Sequence, residues 1–184
     1  MTQDSNIILQ FGTGRFLRAF IEVLVQESND AGNDPWTVIA VQSTPGSRAT
    51  LINEATDGYP VCVQGIEEGV TIDKTIQVKS LSRAIVAATE WNEVLEVAHD
   101  PKLQVITSNT TEAAYALDAS DANMNAGPPN SYPAKLCHVL LERYTHNLAP
   151  LTLAPCELVE GNGLELRGLV LEQAVTWELD DDFT

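Results

Sequence analysis

Residues 7–20, IILQFGTGRFLRAF, constrain the fold more than any other stretch: an apolar run meets two glycines, Gly12 and Gly14, and apolar residues then resume at helical spacing. Such a stretch reads as a strand turning tightly into a helix whose first amide groups face outward. Free N–H groups and the helix dipole both favour negative charge there, so the turn suits a diphosphate. Phe16, Phe20, Val23 and Leu24 predict the buried face of that helix. The third glycine of the dinucleotide-binding fingerprint is missing, because Leu17 stands in its place. On these residues alone, a nucleotide site and an ordinary glycine-containing strand-to-helix turn both stay open.

The rest of the chain alternates in the same way. A second strand is expected over 36–42 (WTVIAVQ), followed by a polar loop, STPGSR, over 43–48. Residues 59–81 (YPVCVQG, VTIDKT and IQVKSL) read as a small antiparallel excursion of short strands. A helix is predicted over 82–98, with Trp91, Val94, Leu95 and Ala98 on one face and the Asp100-Pro101 pair as its stop. Then come a buried strand at 103–107 with the turn SNTTE, a Gly/Pro/Asn-rich loop at 118–133, and a helix carrying Leu136, Val139, Leu140, Arg143 and Tyr144. A short strand at 151–154 with the exit loop PCELVEGNG leads to a last helix over 164–177. This pattern predicts an α/β, doubly wound, mostly parallel sheet with a small antiparallel excursion. GTGR, STPGSR, SNTTE and PCELVEGNG would then gather at the carboxyl edge, where such folds bind ligands.

Composition narrows the partners. With 26 acidic against 10 basic residues, the formal charge is −16, which disfavours nucleic acid and anionic membranes as partners. A bound diphosphate would have to rely on backbone amides, with Arg15 and Arg18 the nearest cations. No apolar run approaches a membrane span and no basic-then-apolar leader opens the sequence, so a cytoplasmic protein is expected. Cys62, Cys137 and Cys156 form no CxxC pair, and His99, His138 and His146 are scattered, with none at ligand spacing to a cysteine, so reduced thiols and no metal site are expected.

GTGRFLRAF at 12–20, SNTTEAAY at 108–115, SYPAKL at 131–136, and PCEL with GNG at 155–163 together resemble the mannitol dehydrogenase and uronate reductase family. TTEA, PAKL and PCEL are most similar to its tagaturonate reductase (altronate oxidoreductase) branch. The resemblance covers essentially the whole chain. It implies an NAD-dependent oxidoreductase of two domains, with residues 1–184 the NAD-binding Rossmann-like domain and a helical carboxy-terminal domain supplying the catalytic lysine. In the family that lysine sits in a KxxxxNxxH pattern, which Lys74, Lys79, Lys102 and Lys135 do not match. The expectation is a cofactor-binding domain that turns nothing over by itself, its catalytic half being a further domain in cis.

Carried over residue by residue, the resemblance places Gly12 and Gly14 at the pyrophosphate turn and Arg15 and Phe16 along the cofactor. Asn109, Thr110 and Glu112 match the loop near the nicotinamide ribose, where the family's glutamate is associated with proton movement; a helix-start carboxylate is the plainer reading of Glu112. Asn162 matches a family asparagine on the substrate side, or is simply a turn residue beside Gly163. The polyol dehydrogenases have CDN where this chain has Cys156, Glu157 and Leu158, which favours the uronate branch. At the end of the second strand, Gln42 and Ser43 stand where an acidic residue normally meets the ribose 2′-hydroxyl, and Arg48 is the one nearby cation. NAD is therefore expected to be preferred, with weak discrimination against NADP. The family reading implies hydride transfer to a keto sugar acid, tagaturonate to altronate, or a related polyol. The alternatives are a free-standing nucleotide-binding sensor and a methyl-donor-binding domain, the latter leaving SNTTE and PCEL unexplained.

Overall fold

The computed structural model describes residues 5–184. Five parallel strands, β1 (Asn6–Phe11), β2 (Trp36–Gln42), β5 (Leu81–Val86), β6 (Leu103–Ser108) and β7 (Thr152–Pro155), form one sheet in the order β5-β2-β1-β6-β7. β3 (Tyr59–Glu67) and β4 (Val70–Val78) make a separate antiparallel hairpin. Its two-residue turn, Glu68-Gly69, has positive φ at both positions, as a tight hairpin requires. The expected α/β doubly wound architecture with an antiparallel excursion is thus present.

Period-two alternation along β1 decides which groups meet. Ile7, Leu9 and Phe11 enter a core with Ile39, Val41 and Ile85 and the helices α4 (Trp91–His99), α5 (Tyr132–Thr145) and α6 (Asn162–Thr176). Ile8 points the other way, into a smaller core with Val38, Ala40, Leu81 and Ala49 of α3 (Arg48–Glu54). Gln10 shares the face of Ile8, which turns its amide towards the segment after β1.

Four expectations are corrected. The helix after β1 is broken at Phe20 (φ −122°, ψ −79°) into α1 (Arg15–Ala19) and α2 (Ile21–Asp30). The break resets the helical phase: Leu17, Glu22, Val23 and Gln26 are buried, whereas Phe16, Phe20 and Leu24 are 44–50% exposed. Residues 81–86, taken as the end of the excursion and the start of a helix, form β5, paired in parallel with β2 from Val38–Leu81 to Gln42–Val86. Local alanine content reads as helix there, but a sheet edge is what buries Ala84 and Ile85. The excursion has two strands rather than several, because β4 runs unbroken through Thr75-Ile76. Finally, α3 follows the polar loop after β2 without having been anticipated. The predicted loop at 118–133 holds short 3₁₀ turns and gives way to α5 at Tyr132.

Candidate functional site

The strand order reverses direction of winding between β1 and β6, so a crevice opens where these two strands end. Gly12 and Asn109 meet there. The Gly12 amide donates to the Val41 carbonyl (3.0 Å) and the Asn109 amide to the Phe11 carbonyl (3.2 Å), tying the first residue beyond β1 to β2 and the first beyond β6 to β1. Gly12 has φ +122°, and a Cβ on it would lie 3.2 Å from the Asn109 carbonyl oxygen. The positive φ favours glycine, and the tight space adds to the strain of any side chain there. Gly14 caps α1 in extended conformation with open space around its Cα.

A buried polar relay holds this turn from below. Gln10 Nε2 donates to the Gly12 carbonyl (2.9 Å) and to Glu22 Oε1 (2.8 Å). The other Glu22 oxygen meets the Tyr59 hydroxyl, which also lies 2.7 Å from the Arg18 carbonyl. Burial pushes the Glu22 carboxyl above its ordinary range, against the opposing pull of these hydrogen bonds and of Arg18. Arg18, expected near a phosphate, instead places its guanidinium 5.5 Å from the centre of the Tyr59 ring. Arg15 and Phe16 are exposed beside the turn.

Beyond β2, a cleft of about 250 Å³ is lined by Thr13, Gln42, residues 44–48 and Leu51. Gln42 shapes the loop rather than offering its amide to the cleft. Its Nε2 donates to the carbonyls of Thr44 (3.0 Å) and Gly46 (2.8 Å), and its Oε1 accepts from the Ala49 amide (2.7 Å). Ser43 and Arg48 are exposed on the same loop. A larger cavity of about 860 Å³ lies where strands begin, against Ile7, Trp36 and Leu81. Ligands of this architecture bind at the other ends of the strands, so the smaller cleft is the relevant one.

On the β6–β7 side the organising group is Glu157, 5% exposed. Its Oε1 accepts from the Thr110 amide (2.9 Å) and hydroxyl (3.2 Å), and its Oε2 from the Tyr115 hydroxyl (3.0 Å). Burial first, then the Glu157 charge, raise the Tyr115 phenol well above its ordinary value, keeping it a donor. Asn109 Nδ2 donates to the Cys156 carbonyl (2.8 Å). Asn162 Nδ2 donates to the carbonyls of Pro155 (3.0 Å) and Glu157 (3.2 Å), so its amide nitrogen ties the exit loop of β7 to the start of α6. Leu158 projects into solvent, 94% exposed. The Glu112 side chain lies outside the described residues.

Gly12, Gly14, Arg15, Phe16, Gln42, Ser43, Asn109, Thr110 and Asn162 are thus all placed on or beside one edge of the sheet. Sequence reasoning overlooked Thr13, Tyr115 and the structural weight of Glu157. Glu157 stood in view within PCEL, but a carboxylate in an exit loop gives no sign of being buried.

The strand order and the glycine turn define a doubly wound α/β domain of the Rossmann type. A family profile described as "Mannitol dehydrogenase Rossmann domain" matches residues 6–183. The chain belongs to the mannitol dehydrogenase family, of which it comprises the Rossmann domain. The altronate oxidoreductase of Halalkalibacterium halodurans is 38% identical over 183 residues, covering 96% of this chain and 35% of that protein. That of Bacillus subtilis is 34% identical over 187 residues, covering 100% of this chain and 39% of the relative. The chain therefore spans little more than a third of these curated relatives. Among solved structures, Pseudomonas fluorescens mannitol 2-dehydrogenase, in a ternary complex with NAD and D-mannitol, matches with a TM-score of 0.78 at 18% identity over 95% of this chain and 38% of that one. A substrate-free D-sorbitol dehydrogenase matches with a TM-score of 0.76 at 21% identity, covering 96% and 38%. These two likenesses establish a shared fold.

Proposed function

We propose that this domain binds NAD(H) across the crevice between β1 and β6, and that the protein containing it reduces a keto sugar acid, tagaturonate to altronate being the pair the relatives suggest. The observation that carries the reading is Gly12. A turn whose positive φ and close approach to Asn109 favour a residue without a side chain is a cradle that a diphosphate can approach at the backbone. The cleft bounded by Thr13, Leu51 and residues 44–48 would take the adenosine half. Asn109 and Thr110, fixed through Cys156 and Glu157, would position the ribose and nicotinamide end.

Bound nicotinamide supplies or accepts hydride at its C4. The residues here bind and orient. Among the described residues no lysine faces this edge in a way that would deliver a proton to a developing alkoxide; Lys135 Nζ donates to the Asn130 carbonyl instead. In this reading a second domain in cis provides that proton, with Glu112 relaying it and Asn162 on the substrate side. The loop after β2 favours NAD only modestly: among the described residues Arg48 is the one nearby cation to attract a 2′-phosphate, and the lack of a carboxylate that would repel one leaves discrimination against NADP weak. A reducing, cytoplasmic setting fits the unpaired cysteines, and no helix among the described residues is long and apolar enough to cross a membrane.

Titration calorimetry with NADH and NADPH tests the proposal. One NADH per chain is expected, with weaker NADPH binding, and Gly12→Val should weaken NADH at least about tenfold by forcing a β-branched residue into the positive-φ turn. A folded wild-type chain that binds neither dinucleotide, or that prefers NADPH, would overturn it.

A further inference from the structure

The three histidines, one from the end of α4 and two flanking Glu142 on α5, converge on one carboxylate. His99 is the last residue of α4, and Glu142 and His146 lie one turn apart at the end of α5. His99 Nε2 is 2.7 Å from Glu142 Oε2, and His146 Nδ1 is 3.8 Å from the same oxygen. The ligand atoms of His99, Glu142 and His146 all lie within 4.8 Å of one another, and the two imidazole rings are 4.1 Å apart between centroids, tilted by 41°. We propose that His99, Glu142 and His146 form a binding site for a divalent transition-metal ion, zinc above all, that bridges α4 and α5.

The donor set decides the class of ion. Two imidazole nitrogens and one carboxylate oxygen suit zinc or a neighbouring transition metal, whereas magnesium and calcium demand oxygen ligands. Zinc needs ligands about 2.0–2.2 Å away, so donors less than 5 Å apart need shift only slightly to enclose it. Water can complete the coordination, because the His99, His146 and Glu142 side chains retain 37%, 52% and 25% exposure. His146 Nδ1 now sits 2.7 Å from the Glu142 carbonyl and would exchange that contact for the ion. The carboxyl end of α5 adds a favourable field for a cation.

His138, one turn before Glu142 on α5, lies next to the site. Its Nδ1 accepts from Trp91 Nε1 (3.2 Å), which leaves the ring proton on Nε2, 3.8 Å from Glu142 Oε1. At 3.8 Å His138 stands beside the far oxygen of the Glu142 carboxylate without hydrogen-bonding to it. Both α4 and α5 end at the edge where strands begin, so this site is remote from the glycine turn. Its fate is independent of the cofactor reading.

The test uses the metal-stripped chain titrated with zinc chloride, followed by calorimetry and thermal unfolding, with magnesium chloride as comparison. One zinc per chain is expected, with a raised Tm that magnesium does not reproduce and an affinity that falls as the imidazoles protonate. His99→Ala and His146→Ala should each weaken zinc by more than about tenfold, since loss of a ligand costs at least as much as loss of an outer partner. Cys62→Ser, which removes an exposed thiol, should leave the affinity unchanged. Cobalt(II) should give a visible absorption band in wild type that the His99→Ala/His146→Ala double variant lacks, a readout that does not depend on stability. Absence of one-to-one zinc binding, or binding that survives in the double variant, would show only a histidine–carboxylate charge cluster and would overturn the proposal.

Discussion

On the β6–β7 side of the carboxyl edge, Glu157 receives a backbone amide directly, that of Thr110, together with the hydroxyls of Thr110 and Tyr115. On the β1–β2 side, Glu22 receives only side-chain donors, and reaches the glycine turn through the amide of Gln10. Each half of the edge is thus tied to one buried carboxylate, but one tie is direct and the other passes through an intermediary. A backbone N–H cannot turn away when its acceptor is removed, whereas side-chain donors can partly reorient. The two glutamates should therefore respond differently to the same substitution.

Glu157→Ala has the largest expected effect. It strands the Thr110 amide and the Tyr115 hydroxyl and opens a cavity, costing about 3 kcal/mol in urea unfolding. Glu157→Gln keeps the Oε1 acceptor for Thr110 and should recover most of that loss. If the alanine variant unfolds at the wild-type urea midpoint, Glu157 does not organise this half of the edge.

Gln42→Ala comes next. It removes the acceptor for the buried Ala49 amide and the donor for two loop carbonyls, with an expected cost of about 2 kcal/mol. Amide exchange at Ala49 should quicken while exchange at Thr110 stays slow, because Gln42 shapes only the loop after β2. Equal quickening at both sites would show that the two halves are one cooperative unit.

These contrasts also mark what could be read from the chain in advance. The strand over 36–42 and the gathering of four loops at one edge follow from alternation and glycine placement, which are local signals. The exposure of Phe16, Phe20 and Leu24 was hidden, because the non-helical dihedrals at Phe20 shift α2 out of phase with α1, so residues that would share one face of an unbroken helix do not share one here. β5 was hidden because its strand character comes from pairing with β2 across forty residues of sequence, not from its own composition. Nothing in the sequence around Glu22 signals that it is buried. Its burial depends on Gln10, twelve positions earlier, and Tyr59, thirty-seven later.

The smallest effect, and the most specific, is expected from Glu22→Gln. The Tyr59 hydroxyl carries one proton but faces both the Arg18 carbonyl and a Glu22 oxygen. If that proton goes to Arg18, the Glu22 contact needs a proton of its own, which a neutral carboxyl has and a carboxylate lacks. Burial raises the Glu22 pKa above its ordinary 4.5, consistent with such a neutral form. The linkage sign follows: between the unfolded pKa and the raised folded one, the native state binds more protons, so wild-type stability falls as pH rises through that window. Glutamine offers the same shape, an oxygen for Gln10 and an N–H for Tyr59, without titrating. Glu22→Gln should lie within about 1 kcal/mol of wild type at pH 4.5 and gain on it as pH rises, levelling off above the folded pKa. Subtracting the two stability curves cancels groups such as His138, whose own shift both proteins share. A difference that stays flat, or that runs in wild type's favour as pH rises, would mean that Glu22 is held as a carboxylate and that the relay beneath Gly12 is charged.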